Sequence, residues 1–313
     1  MLRGVLRHRR RSTPPVYDGD FPDPFILVDG DRYLAYGTQT GDINLQVMES
    51  ADLTRWEHRG DALPELPPWA GWGKTWSPAV LRRDDTWGAG GVPQEKYVLY
   101  YAVRYEAAGR QCISVATASD PAGPFADRST EPFIFQEDRA GSIDPSPFVD
   151  RDGNAYLLWK SDDNADGRAP SLWGASLQPD GLALAGTPVE LLRHDVTWEE
   201  PLVEAPSLAR VADGSYVLFY SGGWWESDGY GIGYATGPAP LGPFQKVTED
   251  GPWLATEDGM AGPGGAELFT DAEGAWEIAF HAWTPPKVGY DHGGARSLWI
   301  EPLEFPEGRP QLA

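Results

Sequence analysis

The chain of 313 residues carries 47 acidic against 25 basic side chains, a formal net charge of −22. That balance excludes a nucleic-acid surface, which needs clustered Lys and Arg, and docking on an anionic membrane. A neutral ligand is indifferent to it. One cysteine, Cys112, excludes an intrachain disulfide, and 37 glycines and 29 prolines lie scattered between short apolar runs, as in a chain of many strands and turns.

The N-terminus holds the only basic run, Arg7 to Arg11 with His8 inside it. It is read as the core of a disordered tail over residues 1–16, not as a binding element. No apolar stretch follows Arg11, so no export signal is visible. As it stands the chain reads as cytoplasmic; a removed leader would make it secreted. No stretch reaches membrane-spanning length.

From residue 17 onward one pattern recurs. A small or acidic residue plus proline opens a short apolar strand, an acidic or glycine turn follows, and an aromatic-rich strand returns. The first unit opens at Asp23-Pro24-Phe25 and returns at Tyr33-Leu34-Ala35-Tyr36. The second opens at Ser77-Pro78-Ala79 and returns at Tyr97-Val98-Leu99-Tyr100-Tyr101. Cys112 falls in the next strand of this unit, where it acts as a small hydrophobe. The third opens at Asp144-Pro145-Ser146-Pro147 and returns at Tyr156-Leu157-Leu158-Trp159. The fourth opens at Glu204-Ala205-Pro206-Ser207 and returns at Tyr216-Val217-Leu218-Phe219-Tyr220. The fifth opens at Gly264-Gly265-Ala266 and returns at Trp276-Glu277-Ile278-Ala279-Phe280-His281.

Openings spaced roughly every 55 to 65 residues suit four-stranded antiparallel units in a ring. The expectation is an all-β, five-bladed β-propeller, each blade a four-stranded antiparallel sheet. Residues 17–313 then form a single domain. Helical periodicity is absent beyond one turn near residues 50–53.

In such a ring the first strand of each blade lines the axis. Aligning Pro24, Pro78, Pro145 and Pro206 places Asp23, Ser77 and Asp144 at one position, with Glu204 one residue earlier. Each Asp-Pro pair by itself is an ordinary turn signal. Three carboxylates at one phase of a repeat are not. Crowded like charges push at least one pKa upward, and glycoside hydrolysis needs that split between a protonated and an ionised carboxyl. Asp29, Asp150, Asp152, Asp213 and Asp271 fall in the turns and are read as turn formers.

The blocks Asp20-Phe21-Pro22-Asp23-Pro24-Phe25, Ser142-Ile143-Asp144-Pro145 and Glu204-Ala205-Pro206-Ser207 resemble, in order and spacing, the signature of glycoside hydrolase family 43. Gly262-Pro263-Gly264-Gly265, Phe280-His281-Ala282-Trp283 and Arg296-Ser297-Leu298 resemble that family's fifth blade. The resemblance implies an inverting mechanism with Asp23 as general base, Glu204 as general acid and Asp144 as modulator of the acid. Fructan-cleaving relatives carry different neighbours where this chain has Pro22, Ile143 and Ala205. A fifth-blade histidine of the family is missing near Gly265; His281 either takes a central role or is a satisfied core histidine. No cofactor is required. A structural Ca²⁺ is allowed by the resemblance, but no metal-ligand set stands out.

Trp76, Trp224 and Trp225 are expected substrate contacts, because sugar faces stack on aromatic rings. The resemblance adds Arg296, which would reach substrate hydroxyls unless it forms a surface salt bridge, and His281 if it takes the central role. Residues 56–76 are read as a long loop that walls the pocket and favours exo action. The substrate class is a neutral plant oligosaccharide or polysaccharide. The resemblance implies α-L-arabinofuranosidase first, then β-xylosidase or exo-galactanase. A non-catalytic sugar-binding propeller is the rival of another class. Oligomeric state is not legible.

Overall fold

The structure, a computed structural model, describes residues 14–83 and 95–313. Most of the expected N-terminal tail lies outside the described residues. Val16, assigned to that tail from sequence, already belongs to the fold: its N–H donates to Leu298 O at 2.9 Å.

Five antiparallel sheets follow one another along the chain. The first comprises β1 (Phe25–Asp29), β2 (Arg32–Gly37), β3 (Gln46–Ser50) and β4 (Glu57–Asp61). The second has β5 (Ala70–Arg82), β6 (Tyr97–Tyr105) and β7 (Arg110–Ala118). The third has β8 (Ser142–Val149), β9 (Ala155–Ser161), β10 (Ser171–Ser176) and β11 (Val189–Arg193). The fourth has β12 (Val203–Arg210), β13 (Tyr216–Gly222), β14 (Gly231–Gly237) and β15 (Gln245–Lys246). The fifth has β16 (Ala261–Thr270), β17 (Trp276–Trp283), β18 (Arg296–Glu304) and β19 (Gln311–Leu312). In each sheet the strands pair in chain order, and the first strands β1, β5, β8, β12 and β16 touch one another in a closed ring. This is the expected five-bladed propeller.

Blade two departs from the expected count, with three strands among the described residues. The edge of β7 takes only single bridges, Thr117 to Ala126, Ile113 to Ile134 and Gln111 to Gly141. Pro121, Pro124 and Pro132 punctuate that stretch and remove backbone donors. The wall expected as a loop over residues 56–76 is also different. It holds β4 and the start of β5, because β6 runs on to Tyr105 and pairs back to Ala70. No helical turn forms near residues 50–53; Asp52 instead accepts from the N–H groups of Thr54 and Arg55.

Apolar burial is divided into five clusters, one between each pair of neighbouring blades. Strand periodicity explains this directly. In β6, Leu99, Tyr101 and Val103 face blade one, while Val98 and Tyr100 face blade three. In β9, Leu157 and Trp159 face blade two and Leu158 faces blade four. Successive side chains point to opposite faces, so a strand sandwiched between blades must be apolar on both. Cys112 is buried in the first cluster, and burial pushes its thiol up to about 12.

Candidate active site

Each blade brings one residue with left-handed backbone to the axis: Asp23 (φ 54°), Ser77 (46°), Asp144 (55°), Ala205 (51°) and Gly265 (61°). A side chain in this region costs on the order of 1–2 kcal/mol, and such strain clusters at functional sites. In β5, β8, β12 and β16 the pairing register also shifts at this point. These irregularities swing side chains out of the sheet toward the axis. The fourth blade spends its left-handed position on Ala205, and its carboxylate comes from Glu204, still paired with Ser221.

Asp23, Ser77, Asp144, Ala205 and Gly265 line a common axial cavity of about 40 Å³. That volume suits a few waters and not a sugar ring.

Every carboxylate is held by specific donors. Thr38 Oγ1 donates to Asp23 Oδ2 at 2.6 Å and accepts from Ser77 N–H at 2.9 Å. Asp144 accepts from Ser77 Oγ at 2.7 Å and from Ala205 N–H at 3.0 Å. Burial and the neighbouring Glu204 push the Asp144 carboxyl up to about 7. Glu204 accepts from Tyr230 OH at Oε1 (2.8 Å) and from Lys160 Nζ at Oε2 (3.1 Å).

His281 was expected at the substrate, but it is wholly buried (0% exposed). Its Nδ1 accepts the backbone N–H of Asp23 at 3.0 Å, and its ring stacks on Tyr230. A Cβ at Gly265 would meet the imidazole at 2.7 Å, so the bare fifth-blade position makes room for it. His281 therefore orients the Asp23 backbone and offers no face to a sugar.

The same imidazole tests a central calcium. Burial drives its pKa well below 6.5, leaving it neutral. With Nδ1 accepting, the proton sits on Nε2, which has no partner. A protonated nitrogen donates and does not ligate. Among the described residues no three His, Cys, Asp or Glu side chains converge on a metal position. The residues present do not fit a cation held directly by side chains.

Arg296 is buried beside Asp23, its Nη1 lying 3.6 Å from Oδ1. The guanidinium stacks 4.7 Å above Trp225 and donates through Nε to Tyr290 OH at 3.1 Å. Asp20 completes the wall by accepting from Arg296 N–H and Tyr290 OH. Trp225 is half-buried, and Trp224 packs against it while remaining 46% exposed. Trp76 is half-buried directly before Ser77, with Lys74 Nζ over its ring.

Sequence reasoning missed Thr38, Lys160, Tyr230, Asp20 and Tyr290. Lys160 carried a usable signal, a lone ammonium at the end of an apolar strand. Asp20 stands within the first motif. Tyr230 and Tyr290 lie in connecting segments with no periodic signal.

A five-bladed propeller with three carboxyls hydrogen-bonded at its axial mouth defines a glycosidase of the acid/base type. The chain belongs to the glycosyl hydrolases family 43, whose model matches residues 12–310. It hydrolyses O-glycosyl bonds with inversion, as that family does. It is similar to a β-D-galactofuranosidase from Aspergillus niger, 27% identical over 98% of this chain and 86% of the relative. It is also similar to a xylosidase/arabinosidase from Butyrivibrio fibrisolvens, 26% identical over 92% of this chain and 55% of that protein. The crystal structure of a thermostable family-43 glycoside hydrolase superposes with a TM-score of 0.81, at 27% identity and 96% coverage of both chains.

Proposed function

We propose that the chain is an exo-acting α-L-arabinofuranosidase on neutral plant oligosaccharides, with Asp23 as base, Glu204 as acid and Asp144 as modulator. The observation that carries the assignment of roles is the hydrogen bonding. Asp23 on blade one is fixed by Thr38 and His281, and Glu204 on blade four is held by Lys160 and Tyr230.

The steps follow from ordinary inverting chemistry. Asp23 removes a proton from water as the water oxygen attacks the anomeric carbon. The glycosidic C–O bond breaks, and Glu204 delivers its proton to the leaving oxygen. Solvent then returns Asp23 to carboxylate and Glu204 to carboxylic acid. Asp144, the modulator, lies beside Glu204 and holds the backbone N–H of Ala205, the residue that follows the acid.

A furanose substrate is supported by the name of one relative, a β-D-galactofuranosidase, and an arabinoside by that of another, a xylosidase/arabinosidase. β-Xylosidase is the second reading, from the latter name. A panel of nitrophenyl α-L-arabinofuranoside, β-D-xyloside and β-D-galactofuranoside tests it, with the anomer of the first-formed product followed by NMR. Fastest turnover on the arabinofuranoside supports the proposal; preference for either other sugar replaces it.

A further inference from the structure

Lys160 is the penultimate residue of β9 and has 1% of its side chain exposed. Its ammonium lies 3.1 Å from Glu204 Oε2 and 3.7 Å from Asp162 Oδ1. Burying a charge this deeply is costly, and a buried ion pair is often no more stabilising than apolar residues of the same volume. Its neighbour in β10 is Leu172, and the preceding β9 residues Leu157, Leu158 and Trp159 are all core. An apolar side chain at residue 160 would continue that core. The ammonium instead reaches out of the blade interface to the acid.

We propose that Lys160 is the positioning residue of the acid. With Tyr230 it fixes both oxygens of Glu204.

A positive charge at this distance favours the carboxylate form of Glu204 over the acid form. That stabilises the product of proton donation, the Glu204 anion left after the leaving oxygen is protonated. The other groups facing this pair are Asp144 on β8, Asp162 after β9, and Tyr230 before β14; Arg110 on β7 offsets Asp162. Both aspartates oppose the carboxylate form, and Lys160 is the one cation touching it among the described residues.

The proposal rests on Glu204 being the acid, and the test separates the two. The pH dependence of kcat/KM is measured on the best nitrophenyl substrate for the wild type, Lys160→Met, Lys160→Met with Asp162→Asn, and Glu204→Gln. The double variant removes opposite charges together, which protects the fold. The basic limb is expected to move upward by roughly 1–3 pH units in Lys160→Met, and in the same direction in the double variant. Folded variants that lose rate with an unmoved basic limb overturn the proposal, as does loss of the folded state in both. If Glu204→Gln keeps near-native turnover, the acid assignment itself fails. If Glu204→Gln is inactive while the Lys160 variants titrate like wild type, only the role of Lys160 fails.

Discussion

The Tyr230 hydroxyl donates to Glu204 Oε1 at 2.8 Å while the face of the same ring lies parallel to His281, centroids 6.0 Å apart. His281 in turn accepts the N–H of Asp23. One tyrosine from the segment before β14 thus couples the geometry of Glu204 to that of Asp23. Removing only the hydroxyl, in Tyr230→Phe, keeps the stack and frees one oxygen of Glu204. A hydrogen bond to a charged group contributes about 1.5–3 kcal/mol, so kcat is expected to fall by roughly 10- to 100-fold with little change in thermal midpoint. Steady-state kinetics with a melting curve checks it.

Acid and base can be told apart by leaving group. Glu204→Gln removes the proton donor, so hydrolysis of an oligosaccharide is expected to fall by roughly 10²–10⁴-fold. Dinitrophenyl glycosides, which leave without protonation, should lose far less. Asp23→Asn removes activation of water and should slow both substrates alike. Equal losses on both substrates for Glu204→Gln would contradict its role.

Glu267 lies on β16 at the axial cavity, facing Ser146 Oγ at 3.4 Å, and burial pushes its carboxyl up to about 8. Asp144 is likewise raised to about 7. Both folded values exceed the unfolded ones, so the folded state binds more protons between the two. Their contribution is fully present below the unfolded pKa and is lost as pH rises through 7 and then 8. The urea midpoint of the wild type is expected to fall across this window. Glu267→Gln, which mimics the neutral form, should flatten the upper part of the fall. An identical pH slope in the variant would refute the reading.

Trp224 is 46% exposed and packs against Trp225, whose ring lies on Arg296 beside Asp23. Trp224→Ala is expected to raise KM for oligosaccharides up to about tenfold, the worth of one aromatic contact, while kcat and stability stay near wild type. A change in kcat alone would place this residue elsewhere in the cycle.

The sequence by itself determined the ring. Strands buried on both faces must be apolar throughout, as Tyr97 to Tyr101 and Tyr156 to Trp159 are, and the recurrence of such runs behind Asp-Pro, Ser-Pro and Ala-Pro openings counts the blades. It also determined where Asp23, Asp144 and Glu204 fall in the repeat, because that phase is local. What it could not carry was anything made between blades. His281 stands hundreds of residues from Asp23 in the chain, and its burial behind the base, which withdraws it from the substrate, follows from Gly265 leaving the space a Cβ would fill. Lys160 and Tyr230 reach Glu204 from another blade and from a connecting segment. Hydrogen bonds of this kind depend on how neighbouring blades are set against each other, and no periodicity in one strand records the distance to the next.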